Sequence, residues 1–598
     1  MEQVPEREEL PVEYTWELEA IFETTAEWEA AFEDVSERID TIREYEGRLD
    51  EDGAVLSEAL STRDELSREV EQVAAYARMR SDEDTRDQKA QGRATRARTL
   101  AAEAASASSF IEPEIQQLSE ERVEVMLEST PDLAVYEHYL DDVLRLAPHT
   151  RSAEVEQVLS ELGEVLSAPS DVYGKLTDAD LTFPTVEGGE GEPVEITQSN
   201  FTSLLQRPDR EFREQVYNSF FEELNGVRNT LGTALNHQVR KHVKSADIRD
   251  YESPLVAALN GSNVPVSVYE ALVDTVESNL DTLHRHLGLK ADALDVDELA
   301  MWDVYAPIAS DEGPEIEYEA ATEMVIEALA PLGEEYQDRV ADGIESRWLD
   351  VYENRGKRSG AYSGGTYDTQ PYILLNWQSD VSSLYTLAHE LGHSMHSELS
   401  SEAQPYVDAD YEIFVAEVAS TVNETLLTHH LLDTVEDEQF RAHVLDQFLE
   451  RFRSTLFRQT LFAAFEADIH ERSAAGEPLT PDRLDELYGD RKARYYDPAQ
   501  VEETIRREWM RIPHFYYNFY VYQYATGLSA AVAIVDRIES TGESAAQDYL
   551  DALALGGSEY PLDVLRTAGV DMAEPAPIET AIGEYDTRID EMAALLAD

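Results

Sequence analysis

Two histidines four residues apart, His389 and His393, bracket the triplet Glu390-Leu391-Gly392, and this short word constrains the fold more than any other stretch. On a helix, positions i and i+4 lie one turn above the other, so both imidazoles reach one point. The surrounding residues support a helix over Ser382–Leu399: Leu384, Leu387, Ala388, Leu391 and Met395 follow the spacing of a buried stripe, with His389, His393 and His396 on an adjacent face. Zinc takes neutral imidazole readily, and a catalytic zinc site needs three protein ligands and an open position for water. Glu390, beside the first histidine, is placed to take a proton from that water. Gly392 is a poor helix former, and its missing side chain would let another element approach closely.

The third ligand must come from elsewhere. His396 is one candidate, but His389 and His396 stand about 10 Å apart along the axis and would meet one tetrahedral ion only at full stretch. A carboxylate from a second helix is easier to place. In the segment Tyr411–Glu424, Phe414, Val418 and Val422 mark a buried side, and Glu417 sits beside it among small apolar residues. Such a carboxylate favours a metal partner, so Glu417 is the preferred third ligand and His396 the alternative. Glu424, two turns on, either supports a ligand histidine by hydrogen bonding or lies exposed at the surface.

Composition narrows the setting. With 598 residues the chain exceeds one ordinary domain, and two or three lobes are expected. It contains no cysteine, which excludes disulfides, thiol catalysis and cysteine metal sites. The N-terminus lacks the basic start and apolar stretch of a secretory signal, and no apolar run approaches the roughly 20 residues of a membrane span. A cytoplasmic protein is expected. Acidic residues number 124 against 47 basic ones, a net charge of −77, and arginine far outnumbers lysine. The acids are spread along the chain and 42% of residues are hydrophobic, which favours a folded protein adapted to high salt over one built for a cationic partner. Nucleic-acid binding is excluded by the charge, and no obligatory protein partner is implied.

Most of the chain reads as helix. Three- and four-residue apolar spacing marks Glu27–Tyr45, Ser61–Arg80 and Arg86–Phe110, and a second helical block spans about Pro113–Leu166. A strand-turn-strand unit is expected over Leu181–Val186 and Val194–Thr197, with the turn at Glu187–Glu192. Long loops are expected at Ser253–Val266 and Ala306–Glu317. Residues 355–378 are rich in glycine and aromatics and end in the apolar run Tyr372–Trp377. That run is either an exposed strand whose edge holds a peptide or a buried strand leading into the histidine helix.

Near the C-terminus, residues 514–527 combine His514 with five tyrosines in nine positions. Amide hydrolysis develops negative charge on the carbonyl oxygen, and a tyrosine hydroxyl or histidine N–H aimed there contributes several kcal/mol. His514 is the favoured donor. Tyr520 and Tyr524 share a face and Tyr522 points elsewhere.

With these segments together, the chain resembles the oligoendopeptidase F family of zinc metallopeptidases, and more distantly thimet oligopeptidase. The matching pieces are His-Glu-Leu-Gly-His-Ser-Met-His at 389–396, Ile-Phe-Val-Ala-Glu-Val-Ala-Ser at 413–420, and His514 through Gly527. The resemblance implies a mainly α, two-lobed zincin-type fold around a deep substrate channel, with a small β element beside the active site. It implies an N-terminal helical region (1–110), a small region with the hairpin (111–200) and a catalytic domain (201–598). It implies one zinc per chain held by His389, His393 and Glu417, with Glu390 as general base. It places His514 and tyrosines from Tyr517, Tyr520, Tyr522 and Tyr524, with Tyr522 and Tyr524 taken as the catalytic pair, near the substrate carbonyl. The expected activity is hydrolysis of internal bonds in short unfolded peptides. A related zinc exopeptidase and a non-catalytic peptide-binding protein are the alternatives.

Overall fold

The computed structural model describes residues 4–188, 191–309 and 313–597. The remaining positions include Met1–Gln3, Gly189 and Glu190 of the expected turn, and residues 310–312 of the second expected loop, which therefore lie outside the described residues. Among the described residues the protein is mainly helical, with five short strands.

Strands β1 (Thr185–Glu187) and β2 (Pro193–Glu195) form an antiparallel hairpin with Val186 opposite Val194. It is shorter than the apolar run suggested. Phe183 leaves the strand line to stack on Phe220 at 4.6 Å, and Thr197 and Asn200 exchange hydrogen bonds at a helix start. The loop expected at Ser253–Val266 instead contains a helix, Pro254–Asn260. Ser253 caps it by accepting from the Val256 N–H, and proline fits the first helical position because its missing donor is not needed there.

The chain divides into two compact units. The first gathers Met1–Pro148, Pro314–His430 and Ile534–Val570. Its N-terminal helices begin at side-chain caps: Thr24 for Thr25–Arg38, Asp52 for Gly53–Glu83 and Asp87 for Gln88–Ser108. The run expected as one helix over Glu27–Tyr45 is α-helical only to Arg38 and tightens to a 3-10 helix over Ile39–Tyr45. Trp28 is wholly buried and its indole donates to the Val73 carbonyl at 2.8 Å. A three-stranded sheet in the same unit runs in the order β3 (Leu349–Asp350), β5 (Tyr372–Leu374), β4 (Tyr362–Gly364). Strand β5 pairs parallel to β3 and antiparallel to β4. Tyr372 and Leu374 pack into the core of the N-terminal helices, so β5 is the buried strand of the two readings, and β4 lies at the sheet edge.

The second unit gathers His149–Gly313, Leu431–Ala533 and Asp571–Asp598. Its interior holds a charged knot. Glu508 is fully buried and accepts from Lys492 Nζ at 2.8 Å, the Tyr488 hydroxyl at 2.6 Å and Arg458 at 2.8 Å. Burial alone would raise its pKa, but Lys492, Arg458 and Arg511 hold the carboxyl well below the usual range. Removing one partner of such a pair strands a buried charge. Lys492→Met is therefore expected to cost about 3 kcal/mol in urea unfolding; a loss under about 1 kcal/mol would show that the remaining partners suffice.

Candidate metal and catalytic site

The histidine helix spans Val381–Ala403 and starts at Asp380, whose carboxylate accepts from the Ser383 N–H at 2.7 Å. Val381, Leu384, Leu387, Ala388, Leu391 and Met395 form its buried stripe. A second helix, Ile413–Thr434, packs across it. Gly392 permits the approach: a Cβ built there would stand 2.6 Å from Ser420 Cα and 2.7 Å from the Ala419 carbonyl oxygen. No real side chain fits that space. Asn423 fastens the crossing by donating to the Ala388 carbonyl at 3.2 Å, and the Tyr385 hydroxyl meets Thr428 Oγ1 at 2.8 Å.

This crossing brings His389, His393 and Glu417 together. The two imidazole Nε2 atoms are 3.1 Å apart, and a Glu417 carboxylate oxygen lies 3.6 Å from the first and 3.7 Å from the second. Ligands about 2.0 Å from a tetrahedral zinc stand about 3.3 Å from one another, so the spacing suits that ion. The donors suit it too. The His389 Nδ1 is 3.0 Å from a Glu424 carboxylate oxygen, and the His393 ring is hydrogen-bonded to the Ala416 carbonyl. Those acceptors hold the ring protons, leaving nitrogen lone pairs and a carboxylate converging on one point, which a cation relieves. Burial and the neighbouring His389 push His393 down to about 4, keeping it in the neutral form a metal takes. Among the described residues this is the one such group of three.

His396 does not join it. The ring is 1% exposed and lies flat on Tyr411, 3.5 Å between centroids, with its nitrogens turned into packed surroundings. One helical turn past His393 has carried it off the ligand face. Glu390 is buried, and burial raises its carboxyl above the ordinary value. The backbone N–H of Ser363, on edge strand β4, donates to that carboxyl, and Ser363 Oγ meets Ser394 Oγ at 2.8 Å. Neither Ser363 nor Asn423 was singled out by sequence. Asn423, an amide within a strongly apolar helix, was the more visible signal.

In the second unit, His514 sits amid aromatic rings: Tyr517 at 5.6 Å, Tyr520 at 6.3 Å and Tyr524 at 5.9 Å. Tyr520 and Tyr524 meet edge to face at 5.3 Å. Tyr517 is 54% exposed. Burial, then Arg458, lowers the His514 pKa, so the ring is neutral and holds one N–H to donate. Tyr522 is 3% exposed and its ring packs 5.4 Å from Tyr269.

Residues 203–584 match peptidase family M3, and residues 114–183 match Oligopeptidase F. The chain belongs to peptidase family M3, in its oligoendopeptidase F group. Oligopeptidase PepF of Bacillus subtilis (strain 168) is 42% identical over 595 residues, 99% of this chain and 89% of the relative. The fold is similar to a crystal structure from Chlamydophila abortus, with a TM-score of 0.94, 34% identity and coverage of 99% of this chain and 100% of that one. Oligoendopeptidase-F from Enterococcus faecium gives a TM-score of 0.73 and 35% identity over 96% of this chain and 99% of that one. This M3 peptidase has no helix, among the described residues, long and apolar enough to cross a membrane.

The helix crossing gives a direct expectation. Gly392→Ala should force the two helices apart and weaken zinc binding by about tenfold or more, measured by competition with a chromophoric chelator. Unchanged affinity would show that the crossing does not set the ligand spacing.

Proposed function

We propose that this M3 peptidase is a zinc-dependent endopeptidase that cleaves internal bonds of short, unfolded peptides. The observation that carries the reading is the convergence of His389, His393 and Glu417 beside a buried Glu390. Zinc bound by those three residues would supply a Lewis acid that makes a water molecule more acidic and draws charge from a carbonyl oxygen. Glu390 takes the proton of the attacking water and passes it to the leaving nitrogen. Its raised pKa suits both halves of that task, since a proton acceptor that must later be a donor works best near the operating pH. The Ser363 N–H keeps the carboxyl aimed. Glu424 orients His389. Edge strand β4 offers a backbone along which an extended peptide can pair. His514, with Tyr520 and Tyr524 beside it, is proposed to donate to the carbonyl oxygen as charge develops there.

The −77 charge is read as adaptation to high salt in the cytoplasm, with short peptide substrates as the proposed partners and no obligatory protein partner implied. Of the seven lysines, Lys290, Lys357 and Lys492 have fully buried side chains paired with Glu450, Asp350 and Glu508. A surface so poor in lysine and rich in acid repels itself unless ions screen it.

Digestion of a mixed peptide library in molar KCl, followed by mass spectrometry, tests the activity. Internal cleavage lost on chelation and restored by zinc is expected; cleavage confined to termini would replace the reading with an exopeptidase. Glu390→Gln should keep stoichiometric zinc and lose about 10³-fold or more in kcat, whereas Glu417→Ala should lose the metal. Zinc retained by Glu417→Ala would remove Glu417 from the ligand set.

A further inference from the structure

The segment that carries His514 and the tyrosines makes a corner the chain would not adopt unaided. Asn518 and Phe519 both have left-handed backbone, φ 54° and 60°. Asparagine tolerates that region, but a bulky aromatic residue there is a genuine outlier, and two in succession need outside support. Strain of this kind persists only where surrounding structure over-determines it.

The support comes from two helices of the second unit, Arg228–Ile248 and Arg458–Ala474. Glu466 is wholly buried, and its Oε1 accepts the Phe519 N–H at 2.7 Å. One turn later, His470 is also buried, and its Nδ1 lies 2.8 Å from the Glu466 carbonyl oxygen. A carbonyl can only accept, so Nδ1 carries the proton and the His470 Nε2 is a lone pair. His242 Nδ1, 3.0 Å from that Nε2, must then be the donor, which leaves His242 Nε2 as an acceptor for the Gln238 amide at 3.1 Å. The other amide hydrogen of Gln238 donates to the Tyr516 carbonyl at 2.8 Å. The protons of Gln238, His242 and His470 are thus assigned.

Both imidazoles are neutral, as the assignment requires. Burial pushes His470 down to about 4, and burial with the His470 ring pushes His242 down to about 3. Burial pushes the Glu466 carboxyl up to about 8, so it too is neutral near pH 7. The Phe519 ring packs on His470 at 4.4 Å, which fills the remaining space beside the relay.

We infer that Glu466, His470, His242 and Gln238 are positioning residues: a buried relay that clamps the Tyr516 carbonyl and the Phe519 N–H and so holds the strained corner that orients His514, Tyr520 and Tyr524. The inference rests on the proposed part of His514 in the reaction. No member of the relay is itself a catalytic residue. Glu466 is the member on which the corner depends most directly, because it takes the one backbone donor of Phe519.

The test compares Glu466→Gln with Glu466→Met in the full-length zinc enzyme, with His514→Gln measured in parallel. Glutamine reproduces a neutral acid, keeping the Oε1 acceptor; methionine fills the space without one. Glu466→Gln should keep kcat within about threefold, and Glu466→Met should lose about 30-fold in kcat with KM and zinc stoichiometry unchanged, as expected for a group acting on the transition state only. Glu466→Asp keeps the acid but withdraws the acceptor by one methylene, and gives the same reading should the methionine variant not fold. Undiminished kcat in a variant without the acceptor, or equal loss in Gln and Met, would overturn the positioning role while His514→Gln remains slow. Full kcat in His514→Gln would overturn the reading of that segment, and the inference with it.

Discussion

The backbone contact at Gly392 and Ser420 is the constraint on which the site depends. Metal ligands on two separate helices can meet only if the axes come close enough for an imidazole and a short carboxylate to converge. A side chain at position 392 would occupy that space, because Ser420 Cα stands 2.6 Å from where its Cβ would be. The glycine weakens the histidine helix locally. Burial of Leu387, Leu391 and Met395 on one side and of Val418 and Val422 on the other offsets that cost, at roughly 1.5–3 kcal/mol for each large apolar side chain. Asn423 then fixes the register of the crossing through the Ala388 carbonyl. Ligand spacing is thus a consequence of helix packing.

The candidate metal group was legible because its information is local. A four-residue spacing on a helix places His389 and His393, and an acid embedded in an apolar stretch marks Glu417. His396 showed the limit of spacing alone: it shares a face with the ligands in a helical wheel, yet its ring is taken up by stacking on Tyr411. The tyrosine segment was harder to read for a different reason. Helical periodicity fails across it, since the left-handed pair Asn518–Phe519 intervenes and the following helix begins only at Tyr522. Tyr522 consequently packs inward against Tyr269. The helix at Pro254–Asn260 lies where a loop was expected, and its proline serves as a first-turn residue. The relay of Gln238, His242, Glu466 and His470 joins residues more than two hundred positions apart, and no sequence pattern announces it.

The electrostatics separate into two regimes. With 124 acidic residues against 47 basic ones, exposed pairs such as Arg48–Glu51 and Lys244–Asp247 leave a large excess of acid, and salt is the natural screen. In the interior, ionised groups occur with partners, as at Glu508, while others are held neutral. Glu466, His470 and His242 stay uncharged through burial, and Glu390 is lifted toward the range where it can both take and return a proton. Interior groups of the second kind contribute geometry and proton affinity instead of charge.

X-ray absorption spectroscopy at the zinc edge of the purified enzyme reads the proposed ligand set. Two imidazole nitrogens and one carboxylate oxygen are expected among the ligands at about 2.0–2.1 Å, with the remaining position taken by a light solvent atom. A third imidazole in the shell, or full peptide hydrolysis by enzyme stripped of metal, would contradict it.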